Sequence, residues 1–326
     1  MKTIRNLLIA LILLLGVAWF ITTQPLFNVS KPVSYKGAVD PNLLKSHVVM
    51  LSEKLPARGG FEKSLNPTVE WIEQQIQLFG KSTRQSYKVG DETFYNILLD
   101  FNPPSTQDTQ ESKEIIIVGA HYDTAHSYAG ADDNASGVAV LIELARLLSK
   151  NETSLKSHIQ LAFYSLEEPP YFRTEKMGSF IHASLLKEKQ QKIKLMIALD
   201  MVGYFSDEKN SQNFPIPFME KLYSDQGNFI AVVGNLTNIL AVRTVKSGMT
   251  SAANLPVYSI NAPTLIQGID FSDHLNFWHF GYPAVLITDT SFMRNTAYHT
   301  KQDTADRLDY VKMAEVVKGL YQTVIQ

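Results

Sequence analysis

Residues 118–148 constrain the fold of this 326-residue chain more than any other stretch. A run of β-branched residues at 115–118 predicts a buried strand, which ends in small residues and delivers His121 and Asp123. A polar loop follows, and from Val138 onward apolar residues recur at the spacing of one helix face. The stretch therefore predicts a strand, a loop and a helix, the repeating unit of a parallel sheet.

Strand and helix continue to alternate along the chain. Asn66-Pro67 predicts the start of an early helix, because proline is favoured in the first helical turn. The alternation predicts an α/β fold in one domain at residues 39–326, with a single doubly wound, mostly parallel sheet and helices on both faces. Further apolar strands are predicted at residues 158–166, 193–202, 229–233 and 284–288, and the closing helix at 308–322.

The chain contains no cysteine, so it has no disulfide, no thiolate metal ligand and no cysteine nucleophile. Any transition metal would be held by His, Asp and Glu, a nitrogen and oxygen set that suits zinc and neighbouring first-row ions. The formal net charge is -2, and no Lys/Arg block occurs in the body of the chain. Both observations argue against nucleic acid as a partner.

The N-terminus carries Lys2 and Arg5 ahead of an uncharged apolar run at residues 7–21. The run is long for a signal-peptide core and slightly short for a spanning helix, and no A-x-A-like cleavage site follows it. We expect residues 1–24 to be an uncleaved membrane anchor and 25–38 a linker; a cleaved secretion signal and a buried soluble helix are the alternatives. The positive charges keep the N-terminus cytoplasmic. The domain would then lie on the periplasmic or extracellular side of the cytoplasmic membrane, or be secreted if the signal is cleaved.

Polar residues occupy the predicted strand ends and a late loop. In an α/β sheet, the crevice beyond the carboxyl ends of the strands is where ligands bind. A carboxylate inside an apolar strand, such as Asp200, needs a partner, because burying it unpaired is costly. The candidate metal-binding residues are His121, Asp133, Glu168, Asp200 and His299.

Two imidazoles and three carboxylates can hold two metal ions, with one carboxylate bridging them at roughly 3.5 to 4 Å. Glu167 lies beside a candidate ligand but points elsewhere, so it is free to act as general base on a metal-bound water. The expected chemistry is metal-assisted hydrolysis of an amide. A triad of Ser136, His121 and Asp123 is the weaker alternative. No G-x-S-x-G elbow surrounds the serine, and the surplus carboxylates would go unexplained.

Six motifs occur in order along the chain. They are HYD at 121–123, GADDNASG at 130–137, SLEE at 165–168, LDMVG at 199–203, SDH at 272–274 and YHTKQDT at 298–304. Between about residue 94 and residue 306 the chain thereby resembles the zinc aminopeptidases of the M28 class, which are related to bacterial secreted aminopeptidases and to glutaminyl cyclases. Any one motif is weak, but six in this order are specific.

The resemblance implies a zinc peptidase catalytic domain with two zinc ions as cofactors. His121 and Asp200 would bind one zinc. Glu168 and His299 would bind the other, and Asp133 would bridge both. Cobalt or manganese suit the same ligand set.

The resemblance also implies roles for residues around the ligands. Glu167 would be the catalytic general base. Asp123 would hold the tautomer and orientation of His121, a support that ligating histidines usually require. A cis peptide bond is implied between Asp133 and Asn134.

Some neighbouring residues stay open between a supporting role and packing. Asp132 should face away if Asp133 faces the metals. His126 lies in the connecting loop. Asp273 and His274 belong to one of the six motifs without an assigned task.

We therefore expect an extracytoplasmic aminopeptidase that hydrolyses N-terminal residues of peptides or small aminoacyl substrates. Residues 204–227 and 291–297 are expected to wall its site. The nearest alternative is a glutaminyl-peptide cyclotransferase, which typically works with one zinc. The other alternative is a non-catalytic receptor or adaptor with a peptidase fold. Such a protein is expected to lose ligands or the base, whereas all six positions here hold the expected residue types.

Overall fold

The computed structural model describes residues 2–27, 38–55, 57–103, 114–151, 155–217 and 219–326. Within these ranges one sheet is formed by β1 (Ser82–Val89), β2 (Glu92–Phe101), β3 (Ile115–His121), β4 (His158–Tyr164), β5 (Ile193–Leu199), β6 (Ile230–Gly234), β7 (Val257–Asn261) and β8 (Ala284–Thr288). The longer helices are α1 (Lys2–Thr23), α2 (Pro41–Val49), α3 (Glu62–Ile76), α4 (Gly137–Ser149), α5 (Gly178–Glu188), α6 (Ile239–Ala252), α7 (His274–His279) and α8 (Tyr310–Ile325).

The strand order is β1-β2-β4-β3-β5-β8-β6-β7. At the centre, β4, β3, β5 and β8 run parallel, whereas β2 is antiparallel to β4 and β6 is antiparallel to β8. β1 and β2 also pair antiparallel, because only Gly90 and Asp91 join them and a parallel pair needs a long crossover. The predicted α/β fold with a single, mostly parallel sheet is confirmed, with antiparallel pairs toward both edges.

Helices pack on both faces of the sheet, as predicted. The larger apolar cluster contains buried residues of α2, α3, α4, α6 and α8. The smaller cluster, on the other face, contains Ala183 and Leu186 of α5 and Phe277 of α7. Every residue of β3 and β4 is buried, which is the pattern of central strands that are covered on both faces.

The loop that follows β3 turns directly into α4. The side-chain oxygen of Asn134 accepts a hydrogen bond from the backbone N–H of Gly137 at 3.1 Å. A Cβ atom at position 137 would lie 2.3 Å from that oxygen and 2.9 Å from the carbonyl oxygen of Leu199, so only glycine fits where the helix begins. This contact fixes the start of α4 against the end of β5.

The N-terminal helix α1 is long and apolar enough to cross a membrane, which fits a signal or a membrane anchor. Its last residue packs on the folded domain. The carbonyl oxygen of Thr23 accepts hydrogen bonds from Nζ of Lys246 and Oγ of Ser259, both at 2.8 Å. Residues 28–37 of the predicted linker lie outside the described residues.

The predicted start of the early helix is wrong. Helix α3 begins at Glu62, and Pro67 lies inside it. The carbonyl oxygen of Phe61 accepts hydrogen bonds from the backbone N–H groups of Ser64 (3.0 Å) and Leu65 (3.1 Å), which closes the first turn before the proline is reached. Pro67 therefore removes one backbone donor without ending the helix.

Candidate metal centre

Ionisable side chains meet at the carboxyl ends of the central parallel strands. His121 is the last residue of β3, and it pairs with Tyr164, the last residue of β4. Glu167 and Glu168 lie in the turn after β4, separated from its end by Ser165 and Leu166, and Asp200 follows the last residue of β5. Because parallel strands end at the same edge of a sheet, these side chains are brought together there.

Asp133 lies between two imidazole rings. Its Oδ1 is 3.4 Å from Nε2 of His121, which is also 3.5 Å from Oδ1 of Asp200. Its Oδ2 is 3.2 Å from Nε2 of His299, which is also 3.0 Å from Oε2 of Glu168. These five residues, here called the candidate metal centre, form two groups of three that share Asp133.

The candidate metal centre fits divalent cations. In each group, the ligand atoms lie within 4.8 Å of one another. Nε2 of His121 and Nε2 of His299 are buried, and neither has a hydrogen-bond partner among the described residues. Buried polar atoms in native proteins are rarely left without a partner. An imidazole and two carboxylates in each group are donors that zinc accepts.

Electrostatics within the centre show an excess of negative charge. Burial alone would raise the pKa of Asp133, but the neighbouring rings of His121 and His299 outweigh it and hold that pKa below the usual range. Burial and the Asp133 carboxylate raise the pKa of Glu168 to about 8. Burial opposes protonation of His299, but Asp133 and Glu168 raise its pKa to about 10. Positive charge is therefore favoured on both sides of Asp133.

Glu167 lies beside the centre with its carboxyl group buried. Its Oε2 is 3.9 Å from Nε2 of His121, and it can also be grouped with His121 and Glu168 as a ligand. Burial raises the pKa of Glu167 well above the usual range, although His121 opposes the shift. A raised pKa suits a carboxylate that must take up a proton near neutral pH.

Asp123 supports two strand ends at once. Its carboxylate accepts hydrogen bonds from the backbone N–H groups of Glu167 and Glu168, both at 3.1 Å. Nδ1 of His121 is 3.2 Å from the Asp123 carbonyl oxygen and 3.6 Å from its Oδ1. His121 is therefore held by the backbone carbonyl of Asp123 with the carboxylate close by, and the carboxylate fixes the backbone that carries the two glutamates.

The chain turns sharply beside several of these side chains. Leu166, Met201 and His299 have φ values of 60°, 51° and 53°. A side chain rarely adopts this left-handed region without surrounding structure that enforces it, and such residues cluster at functional sites. The cis peptide bond expected between Asp133 and Asn134 is present.

Two buried supports were missed from the sequence. The carboxylate of Asp303 accepts hydrogen bonds from the backbone N–H groups of Asp132 and Asp133, both at 3.0 Å. Arg58 donates to the carbonyl oxygens of Leu51, Tyr122, Ala129 and Gly130. Asp303 lies in the YHTKQDT motif, so its place beside His299 in that motif could have marked it as a site residue. Arg58 stands alone in an irregular stretch, and no pattern marks it.

The remaining candidates have separate surroundings. Asp132 is not part of the candidate metal centre, and its carboxylate accepts hydrogen bonds from the backbone N–H of Gly203 (3.0 Å) and from Nδ2 of Asn295 (2.8 Å). The hydroxyl of Ser136 donates to the Asp132 carbonyl oxygen and accepts from the backbone N–H of Val202. Ser136 is thereby engaged by the backbone, which argues against the serine triad.

The SDH motif also lies near the centre. Asp273 is buried, its carboxylate oxygens have no hydrogen-bond partner among the described residues, and burial raises its pKa to about 7. His274 bonds the Ile269 carbonyl oxygen through Nε2 at 2.8 Å and packs edge-on against Trp278. His126, by contrast, is exposed in its loop beside Tyr128.

A pocket of about 250 Å³ adjoins the candidate metal centre. Its walls include residues of the two stretches expected to wall the site, among them Phe214 and Tyr223 in one and Phe292 in the other. Apart from the acidic residues and His299 at the centre, no described lining residue is charged. The pocket therefore combines a charged end with a long uncharged body.

The sequence is similar to those of known peptidases and of a bacterial relative. The family model of Peptidase family M28 matches residues 96–324. The chain is 46% identical over 290 residues to the uncharacterized protein YfbL of Escherichia coli (strain K12), and the alignment covers 86% of each chain.

Solved structures share the fold. The LapA aminopeptidase of Legionella pneumophila superposes with a TM-score of 0.68 at 20% identity, covering 88% of this chain and 71% of that one. A glutaminyl cyclase of Bacteroides thetaiotaomicron superposes with a TM-score of 0.66 at 19% identity, covering 92% and 99%. At these identities the likeness concerns the fold alone.

Proposed function

The chain belongs to peptidase family M28, and from that premise we propose that it is a zinc-dependent aminopeptidase that acts outside the cytoplasm. The observation that carries the proposal is the position of Asp133 between two groups of ligands, each with its own histidine. An arrangement of this kind is what two metal ions with one bridging carboxylate require.

The residues that would hold the zinc ions are those of the candidate metal centre. His121 and Asp200 would serve one ion, Glu168 and His299 the other, and Asp133 both. When bound, the ions would polarise the carbonyl of the scissile amide and lower the pKa of the attacking water.

Glu167 is the group that we propose to move the proton. It would take a proton from the attacking water and pass it to the leaving amine, so that one carboxylate serves as base and then as acid. Its backbone N–H donates a hydrogen bond to the Asp123 carboxylate, which fixes the backbone from which the Glu167 side chain extends. Asp123 is thereby a positioning residue for both Glu167 and His121.

The charge of the pocket indicates which end of a peptide it accepts. Asp133, Glu167, Glu168 and Asp200 line its charged end, and no Lys or Arg occurs among the described lining residues. Two bound zinc ions would offset the charge of these carboxylates. The deciding feature is the lack of a basic side chain among the described lining residues, which leaves the carboxylate of a peptide C-terminus with no Lys or Arg to bind it. This lack supports an aminopeptidase over a carboxypeptidase.

The N-terminal helix supports a location at the membrane. Helix α1 has the length and composition of a spanning segment, and Lys2 and Arg5 precede its apolar run. We propose that α1 anchors the chain with its N-terminus in the cytoplasm and the catalytic domain on the other side.

A glutaminyl cyclase is the second candidate, because the cyclase of Bacteroides thetaiotaomicron has a similar fold over nearly its whole length. Five ligand positions in two groups favour hydrolysis with two ions over a one-zinc cyclase. A non-catalytic receptor is disfavoured, since all five ligand positions and Glu167 keep the expected residue types.

Zinc content and activity of the full chain in detergent would test the proposal. We expect about two zinc ions per chain and hydrolysis of leucine 4-nitroanilide, but not of its N-acetylated form. Glu167→Gln should keep the zinc and lose activity by about 10²-fold or more. Glu188→Gln, at an exposed position in α5, is the matched control and should change neither property.

Two outcomes would overturn the proposal. One is a chain that binds no metal, and the other is a Glu167→Gln variant with full activity. Cyclisation of an N-terminal glutamine without hydrolysis of any aminoacyl anilide would favour the cyclase instead.

A further inference from the structure

The pocket beside the candidate metal centre is longer than one amino-acid side chain requires. Its floor is a face of the sheet, and its extent can be read from strand pairing. Leu199 of β5 pairs with Ile287 of β8, which sets Asp200 level with Thr288. Asp200 and Thr288 both line the pocket.

The row of paired residues that begins with Asp200 and Thr288 continues across β6 and β7. Thr288 pairs with Ala231 of β6, and Ala231 pairs with Tyr258 of β7. Ala231 and Tyr258 also line the pocket. The row from Asp200 to Tyr258 crosses three gaps between strands, which at about 4.8 Å each amounts to about 14 Å.

A second row of side chains widens this floor. Leu286, Val233 and Ile260 pair across β8, β6 and β7 and line the pocket as well. All three are aliphatic, and Val233 is buried. Five aromatic residues from loops and short turns form the roof opposite this floor, and uncharged polar residues such as Gln212, Asn213 and Gln267 also line the pocket; the aromatic residues are Phe172, Phe214, Tyr223, Phe271 and Phe292. Floor and roof thus form an apolar slot across the sheet.

The length of this slot indicates what it accommodates. An extended chain of single bonds advances about 1.2 Å per bond, as the protein backbone does. A leucine side chain would reach roughly a quarter to a third of the way from the centre to Tyr258, whereas about ten linked carbon atoms would span the row.

The far end of the slot is closed by aromatic residues. The ring of Tyr258 in β7 packs against Phe229 and Tyr223, with ring centroids 4.6 and 5.8 Å apart. The hydroxyl of Tyr223 donates to the Ser259 carbonyl oxygen at 2.8 Å and ties the roof to the same strand. The side chain of Ser259 points to the opposite face of the sheet, where its hydroxyl donates to the carbonyl oxygen of Thr23, so α1 is not part of the slot. The slot therefore runs from the candidate metal centre to an aromatic end wall at β7.

We propose that the substrate carries an unbranched apolar chain of about ten carbon atoms on the acyl side of the scissile amide. The chain would lie across β8 and β6 and end against β7. The substrate class is thus an N-terminal residue with a lipid-like side chain. This inference rests on the proposed function, because it places the scissile amide at the candidate metal centre.

A series of 2-aminoacyl 4-nitroanilides would measure the slot. The series runs from alanine through norleucine, 2-aminooctanoic acid and 2-aminododecanoic acid to 2-aminohexadecanoic acid, whose side chain exceeds ten carbon atoms. Burial of each added CH₂ is expected to raise kcat/KM about fourfold, from the usual gain per buried CH₂. The increase should level off when the side chain holds about ten carbon atoms.

Ala231→Phe would place a ring in the middle of the row. The ratio of kcat/KM for the longest substrate to that for the alanine substrate should fall at least about 100-fold, because roughly half of the chain loses its slot. Val233→Phe is the second variant if Ala231→Phe does not fold. Val311→Phe, at an exposed position of α8, is the control and should leave the ratio unchanged.

The outcomes separate the two proposals. Hydrolysis of alanine and leucine substrates with no gain for longer chains would overturn the slot and leave the aminopeptidase intact. An unchanged ratio in a folded Ala231→Phe variant would do the same. Failure to hydrolyse any member of the series would count against the proposed function itself.

Discussion

Two regions of the same sheet differ in how strictly the chemistry of each side chain is defined. The carboxyl ends of β3, β4 and β5 carry or precede the candidate metal centre, where each carboxylate lies beside a particular imidazole ring. One face of β6 and β7 carries the apolar slot, where most side chains share only their apolar character. Strand ends are therefore suited to chemistry, and a strand face to the selection of a substrate.

The energetic reason lies in the cost of buried polar groups. A carboxylate or an imidazole at a strand end must be paired, because removing one partner leaves the other unsatisfied. When an aliphatic residue on a sheet face is changed to another of similar volume, the protein loses only some packing contacts and some buried apolar area. Changes at strand ends should thus be severe, and changes on the face should be graded.

The largest effect should follow from Asp133→Asn. The substitution removes a negative charge from both ligand groups, so we expect activity to fall about 10³-fold or more and zinc content to fall for both ions. Steady-state kinetics with leucine 4-nitroanilide and metal analysis of the full chain would measure this.

Asp200→Asn is the comparison for that variant. Asp200 belongs to one group only, so its loss should leave part of the zinc bound and reduce activity less than Asp133→Asn does. Equal zinc loss in both variants would show that Asp133 is not shared. Thermal unfolding of each variant separates loss of metal from loss of fold.

The next largest effect concerns the stability of the loop beneath the centre. Arg58→Met would leave up to four backbone carbonyl oxygens without their donor, and we expect the free energy of unfolding to fall by about 3 kcal/mol. Urea titration of the full chain in detergent measures it. Arg84→Met is the control, because Arg84 pairs with Glu73 at the surface and its loss should cost less than about 1 kcal/mol.

Equal stability losses in Arg58→Met and Arg84→Met would contradict the prediction that the buried Arg58 stabilises the fold more than the surface ion pair of Arg84 does. Arg58→Lys should lie in between, since an ammonium keeps the charge but cannot reach all the carbonyl groups that the guanidinium does.

The features that the sequence predicts correctly are those with a local pattern. The strand, loop and helix around His121 follow from β-branched and helical spacing within thirty or so residues. The five residues of the candidate metal centre were proposed from strand ends and motifs, and the structure brings them within 4.8 Å of one another in two groups.

The features that escaped prediction depend on distant parts of the chain. Arg58 acts through backbone carbonyl groups of Tyr122 and Gly130, which have no side-chain identity for a pattern to detect. The start of α3 depends on hydrogen bonds to Phe61, which outweighed the local preference at Pro67. The slot depends on the register of four strands, three of which are far apart in sequence from Asp200.

The smallest effect concerns a polar residue on a face. His182 of α5 is buried against β4, where its Nδ1 lies 2.9 Å from the hydroxyl of Tyr164, and burial lowers its pKa to about 4. In the unfolded chain its pKa is about 6.5. Between these two pKa values the unfolded chain binds a proton at His182 that the folded chain does not bind. The free energy of unfolding should therefore fall as pH drops from 6.5 toward 4. At pH 5 the loss from this residue should be about 2 kcal/mol.

His182→Asn tests this loss, because the Asn side-chain oxygen can still meet the Tyr164 hydroxyl but does not titrate. We expect a lower stability at all pH values from the smaller side chain and a shallower decline between pH 6.5 and 4, measured by urea titration at several pH values. The decline should not vanish, since burial also lowers the pKa of His274 to about 4. An unchanged decline in His182→Asn would show that His182 contributes nothing to the pH response, which would contradict this prediction.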